Sequence, residues 1–241
     1  MVDFMILNRP YVLKTIKKST PEVTAFTFEA QDGTSIDFVP GMFAMLYYKN
    51  QETGESIGRA FSIANAPPSG SLEFLISLVH GKFTSKLDTA KIGDVYYISA
   101  PYGQFKFDLN PETKFLFLAG GTGLAPFFSM LRLSKVRGQH IDGVLIYSTK
   151  YSDDIIEHEE LSQITSELDV RLAVTVTRPK ENDTWKGDTG HVNAEMIKKH
   201  APDVVDRISY ICGPPAFVNA LKQALLSLGV DPKHIKAEMW G

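Results

Sequence analysis

Three short stretches of this chain carry residues whose types and spacing suit chemistry. In "FLFLAGGTGLAPFF", residues 115–128, strand-forming residues run into Gly120, Gly121, Thr122 and Gly123, and helical character resumes at Pro126. A strand ending in a glycine-rich turn that opens a helix aims bare backbone N–H groups at one point, which suits a phosphate. The same glycines would serve any tight strand-to-helix turn, so the motif gains weight only from other segments. In "GRAFSIANAP", residues 58–67, a cation, an aromatic ring and a hydroxyl follow in Arg59, Ala60, Phe61 and Ser62. Residues 59, 61 and 63 share one face of an extended chain, and Ser62 lies on the other. In "HGKFTSKL", Gly81, Lys82, Phe83, Thr84 and Ser85 offer consecutive N–H groups and hydroxyls at the start of a short helix, a second candidate anion nest.

Two kinds of sequence grammar must position these stretches. Up to about residue 109 the chain reads as short β segments, among them "EVTAFTFEA", "GMFAMLYY", "SLEFLISLV" and "DVYYISA", separated by turn signals such as "QDG" and "PPSG". That spacing predicts a small antiparallel barrel or sandwich. From residue 110 onward, "KFLFLA", "GVLIYS", "VRLAVTVT", "RISYIC" and "HIKAE" alternate with helical stretches beginning near Pro126, Glu157, Ala194 and Pro214. Alternation of this kind predicts a doubly wound parallel sheet covered on both faces. The expected domains are therefore residues 1–109 and 110–241.

Composition narrows the function. The 241 residues carry 25 basic and 28 acidic side chains, well mixed, with a net charge of −3, so no electrostatic footprint for nucleic acid is expected. A single cysteine, Cys212, rules out an internal disulfide and thiolate-rich metal clusters, and the six histidines show no short metal-ligand spacing. No metal site is expected. The opening "MVDFMILNRP" lacks a basic region followed by a long apolar core, and no apolar run reaches spanning length, which predicts a cytoplasmic protein without a membrane span. "GGTGLAP" places Pro126 where the dinucleotide fingerprint has its third glycine, and it lacks the Gly-Lys-Ser/Thr ending of a nucleoside-triphosphate loop.

Arg59-x-Phe61-Ser62, Gly81-x-x-Thr84, Gly120-Gly121-Thr122-Gly123 and Cys212-Gly213-Pro214-Pro215 occur in that order along the chain. In this it resembles the ferredoxin–NADP reductase superfamily of flavoproteins, specifically the compact two-domain members without an attached iron–sulfur domain, over nearly its whole length. The resemblance implies a flavin-binding β-barrel followed by a Rossmann-like nicotinamide-binding domain. It assigns Arg59 to the flavin diphosphate, Phe61 to the face of the isoalloxazine and Ser62 to the hydride-accepting nitrogen. The turn from Gly81 to Ser85 would hold the diphosphate, while Gly120 to Gly123, Pro126, Gly213 and Pro214 would hold the nicotinamide nucleotide. Cys212 would lie beside the nicotinamide carbon, so Ser62 and Cys212 are the expected catalytic pair. Phe61 stands where the family usually has Tyr, which keeps the stacking face and drops a hydroxyl. Phe217 replaces a Met of many relatives and is expected to pack as core.

The cofactor implied is FAD rather than FMN, with NADH or NADPH as co-substrate. At the end of the second parallel strand Ser148, Thr149 and Lys150 replace the acid that would receive an adenosine ribose, yet Asp153 and Asp154 follow, so the choice between the two nicotinamides stays open. Lys150 is the candidate 2′-phosphate ligand. Trp240 either covers the flavin, as a terminal aromatic does in relatives, or caps the last strand. The expected function is passage of hydride from NAD(P)H to FAD and of electrons to a separate redox protein, such as a ferredoxin, haem protein or oxygenase component, or to a small acceptor such as a quinone. Two alternatives are a reductase that uses flavin as a diffusing substrate and a non-catalytic redox-sensing subunit. The acceptor and the oligomeric state are not legible.

Overall fold

The computed structural model describes residues 8–50, 53–79, 81–110, 112–181 and 184–240; the readings made of residues 1–7, His80 and Gly241 fall outside them. Strands β1 (Arg9–Lys18), β2 (Val23–Ala30), β3 (Phe43–Lys49), β4 (Ser56–Ser62), β5 (Ser71–Ser77) and β6 (Val95–Tyr102) form an antiparallel sheet in the order β4-β3-β6-β1-β2-β5. Just past the end of β4 the edges meet, because the Ala64 amide donates to the Glu73 carbonyl at 2.8 Å. The sheet is thus a barrel, filled by rings that include Phe26, Phe28, Phe74, Phe83 and Tyr96. Phe28 meets Tyr96 edge-on with centroids 5.3 Å apart, the geometry that opposed ring quadrupoles favour.

The second sheet is wholly parallel, in the order β10-β9-β8-β7-β11-β12, with β7 (Phe115–Gly120), β8 (Gly143–Thr149), β9 (Arg171–Val176), β10 (Asp188–Thr189), β11 (Ile208–Gly213) and β12 (Ile235–Met239). Every residue of β7 and β8 is buried, as expected for central strands covered on both faces. Side-chain alternation divides them. Phe115, Phe117 and Tyr210 pack under helices α2 (Ala125–Val136) and α3 (His158–Glu167), while Leu116, Leu118 and Ile211 pack under α4 (Ala194–His200) and α5 (Pro215–Ser227). The chain leaves β7 outward through β8 and β9 and returns to β11 on the other side of β7, so the switch point of the topology lies at the carboxyl ends of β7 and β11.

The two halves share a core. Val23, Ala25, Ala64, Leu75, Phe105 and Phe107 from the barrel side belong to the same apolar cluster as Phe127, Phe128 and Met130 of α2. A polar hub adds to it. Half-buried Arg132 on α2 donates to Glu73 of β5 at 2.7 Å, to the Ala64 carbonyl at 3.0 Å, and to both oxygens of Glu160 on α3 at 2.7 and 2.8 Å. The glycine turn at the head of α2 is therefore tied rigidly to the segment that follows β4.

Candidate active site at the seam of the two halves

Two adjoining cavities, of about 610 and 440 Å³, lie where the halves meet. Glu22, Ser77, Thr122, Lys150 and Trp240 line both. The larger is walled by Arg59, Ala60, Phe61 and Ser62 of β4, with Gly81 and Thr84 beyond them. β4 ends the strand order of its sheet, and Ser62 lines the same space as Arg59 and Phe61 although strand alternation puts them on opposite faces. The Arg59 guanidinium is exposed, donates at 3.2 Å to its neighbour's Gly58 carbonyl, and pairs with no carboxylate among the described residues. Half-buried Phe61 rests on Phe83, with centroids 5.8 Å apart, and so is held in place from behind.

Within the Gly81–Ser85 turn the hydroxyl and the backbone amides differ in what they leave open to a ligand. The Thr84 hydroxyl is consumed inside the turn, donating to the Val79 carbonyl and accepting from the Gly81 amide at 3.1 Å. The amides of Lys82 and Phe83, just ahead of helix α1 (Thr84–Asp88), have no backbone partner among the described residues. The backbone amides, and not the Thr84 hydroxyl, are thus the donors that this turn leaves open. Phe83 itself is core, while Lys82 and Ser85 are exposed and lie off the cavity wall.

The smaller cavity sits on the switch point. Gly120 ends β7, Gly121 to Leu124 form a 3₁₀ turn, and Pro126 occupies the first turn of α2, buried away from the cavity. Pro126 shapes the helix start, where a missing N–H is harmless. Gly123 has no room for a side chain: a Cβ there would lie 2.3 Å from the Cys212 carbonyl oxygen. Gly120 and Gly213 are each crowded by the Phe217 ring, to which a Cβ would come within 3.1 and 2.8 Å. Phe217 is half-buried: it packs against the core, as expected, and also lines the cavity with Pro214.

Cys212 is fully enclosed and lines neither cavity, and its carbonyl packs against Gly123 of the glycine turn. Burial, and then the nearby Glu238, push the thiol well up from its ordinary value. Glu238, a residue that no local spacing rule singles out, is the β12 residue in register with Cys212. Its carboxyl lines the larger cavity, Oε2 is buried with no hydrogen-bond partner among the described residues, and burial raises its pKa to about 7. The folded protein thus retains a proton on Glu238 that the unfolded chain has lost from its ordinary value of 4.5 upward, so stability falls as pH rises through that window. Glu238→Gln cannot ionise. We expect its melting temperature, relative to the parent, to be higher at pH 8 than at pH 5, and an unchanging difference across that range would remove the buried carboxyl from the account.

The barrel matches the oxidoreductase FAD-binding domain over residues 10–107, and the parallel-sheet half matches the oxidoreductase NAD-binding domain over residues 117–223. This chain is a member of the ferredoxin–NADP reductase superfamily. The superfamily's flavin-binding and nicotinamide-binding modules are thus both present. A glycine betaine monooxygenase reductase subunit of Pseudomonas aeruginosa is 30% identical over 241 residues, covering 97% of this chain and 65% of that protein. The chain therefore spans about 65% of the length of such relatives. Ferredoxin–NADP reductase B of Sorangium cellulosum is 28% identical and is matched over 98% of this chain and 100% of its own. In fold, the FAD/NAD-binding domain of a nitric oxide dioxygenase from Vibrio cholerae superposes with a TM-score of 0.88 at 20% identity, over 97% of this chain and 99% of that one. Among the described residues no helix is long and apolar enough to cross a membrane, and no group of His, Cys, Asp and Glu could hold a metal ion.

Proposed function

We propose that this reductase takes hydride from a nicotinamide dinucleotide at the smaller cavity, delivers it to FAD held in the larger, and passes electrons to a separate redox protein of the oxygenase or ferredoxin kind. The observation that carries this reading is the junction of the cavities: one wall bears Arg59, Phe61 and Ser62, the other bears the glycine turn, and five residues are common to both. When bound, FAD supplies a carrier that accepts a hydride and releases electrons singly. The residues present fit it, because among the described residues Arg59 has no carboxylate partner and the amides of Lys82 and Phe83 have no backbone acceptor, which leaves them for an anion, and the cavity has an aromatic wall.

Each side chain then has one task. The Arg59 fork binds diphosphate through charge-assisted hydrogen bonds, and Phe61 presents a planar face for stacking. Ser62 is small enough to stand beside the reacting positions without blocking them. Gly120 to Gly123 leave backbone open for a pyrophosphate, and Gly213 and Pro214 form the facing wall. Cys212 works from behind, setting the turn through its carbonyl. Glu238 Oε2, protonated below about pH 7, holds a proton at the wall of the larger cavity. Trp240, 41% exposed, stands at the seam and screens it from water.

Anaerobic mixing with NADH and NADPH, followed by a panel of acceptors, tests the reading directly. Bleaching of the flavin is expected, and its absence with either nicotinamide would favour a sensing subunit. Arg59→Ala is expected to weaken flavin retention about ten- to a hundredfold, since a charged hydrogen bond contributes roughly 1.5–3 kcal/mol, with the fold intact. Unchanged retention of flavin through gel filtration would remove Arg59 from the site. The relatives described as oxygenase reductase components support an oxygenase partner as the first acceptor to try.

A further inference from the structure

At the carboxyl end of β8 the chain reads Ser148, Thr149, Lys150, without the acid that this fold uses to receive the hydroxyls of an adenosine ribose. A carboxylate arrives there from the other half of the molecule. Glu22 precedes β2, and its Oε2 lies 3.2 Å from Lys150 Nζ, 128 residues away in sequence. Its placement is built. The buried Thr20 hydroxyl accepts from the Glu22 amide at 3.3 Å and from the Val23 amide at 3.0 Å, and the Glu22 carbonyl receives the Leu78 amide at 3.0 Å. The backbone is pinned on both sides while the side chain, 58% exposed, enters the seam and lines both cavities.

We infer that Glu22 is the acid missing from β8: it receives the ribose hydroxyls from across the seam, occupies Lys150, and so selects the dinucleotide that lacks a 2′-phosphate. The inference rests on the nicotinamide-nucleotide reading of the smaller cavity. A 2′-phosphate would bring further negative charge against Glu22 in the wall of this cavity. Lys150, the one lysine or arginine lining this cavity among the described residues, already has its counterion. Nearby Lys180 is paired with Asp153 at 2.5 Å. Arg178 is exposed; its amide donates to the Lys150 carbonyl at 2.8 Å, but its side chain lines neither cavity. Like-charge juxtaposition is the usual way a site rejects a near-identical ligand.

The test uses the flavin-loaded protein and two probes that carry no hydride, 5′-ADP and 2′,5′-ADP, titrated calorimetrically at low ionic strength, beside anaerobic flavin reduction by NADH and NADPH. The parent should bind 5′-ADP at least tenfold more tightly than 2′,5′-ADP and should favour NADH in the same sense. Glu22→Gln should narrow both ratios about tenfold, chiefly by tightening 2′,5′-ADP, because Lys150 is released to the added phosphate. Asp154→Asn should leave the ratios within about twofold. A parent that prefers 2′,5′-ADP, a Glu22→Gln variant with unchanged ratios, or a shift produced by Asp154→Asn instead would each overturn the assignment while leaving the nucleotide site standing. A parent that binds neither probe and is reduced by neither nicotinamide would overturn the cavity reading and this inference together.

Discussion

Gly123→Ala is expected to slow nicotinamide-driven flavin reduction about a hundredfold while flavin retention stays close to that of the parent. The added Cβ would meet backbone on every side: the Cys212 carbonyl oxygen at 2.3 Å, its carbon at 2.6 Å and the Gly213 amide at 2.9 Å. None of these is the yielding end of a side chain, so the turn and the end of β11 must move apart. A displacement of about 1 Å in a positioning element is enough for a hundredfold loss, and this one falls between the two halves of the nucleotide wall. Gly121→Ala is the control. Its Cβ meets nothing within 4 Å, and only the left-handed φ of +55° opposes it, a cost of about 1 kcal/mol. Stopped-flow reduction by NADH and NADPH, with flavin content measured after gel filtration, separates the cases. Reduction by Gly123→Ala within about threefold of the parent would show that this turn does not hold the dinucleotide.

Arg132→Met is expected to lower stability by about 3 kcal/mol, or roughly 6–12 °C in melting temperature for a chain of this size. The substitution keeps bulk over the Phe128 ring, 4.8 Å below the guanidinium, and strands Glu73 and Glu160 without their cation. The lower end of the range for a broken buried pair is appropriate because the Glu160 side chain is 38% exposed. The sign with pH follows from Glu160. Burial pushes its pKa up, but the hydrogen bonds and charge of Arg132 outweigh this and hold it below 4.5. The parent's advantage is therefore complete above that value and fades as pH falls through the lowered one. Melting curves of parent and variant between pH 3 and 8 should converge at the acid end. A gap that does not depend on pH would mean that packing, and not the ion pair, carries the difference.

The chemistry-bearing motifs were legible because each is local. Gly120 to Gly123, Arg59 to Ser62 and the parallel-strand segments announce themselves within a dozen residues, through turn chemistry and hydrophobic runs. What escaped is either long-range or weakly patterned. Glu22 meets Lys150 across 128 residues and Arg132 meets Ala64 across 68, and no spacing rule joins such pairs. β1 lies in the middle of its sheet, yet it buries only Tyr11 and Leu13 and exposes the run from Lys14 to Lys18, so its period of two is nearly erased. Phe217 could have been found by asking what its ring would touch one helical turn after Gly213. The glycines at 120 and 213 leave space that only a neighbouring side chain of that size fills.

The apolar cluster that runs unbroken from Val23 and Leu75 into Phe127 and Met130 has a consequence for how the reaction distance is set. In an enzyme that closes on its ligands, part of the binding energy of each turnover goes into bringing the halves together. Here that work is done when the chain folds, since the halves cannot part without exposing a common interior. On the proposed reading, the spacing between the two cavities is thus written into the folded state before any nucleotide arrives, and the full attraction of a dinucleotide would be left for discriminating between partners and for holding its ring against a flavin.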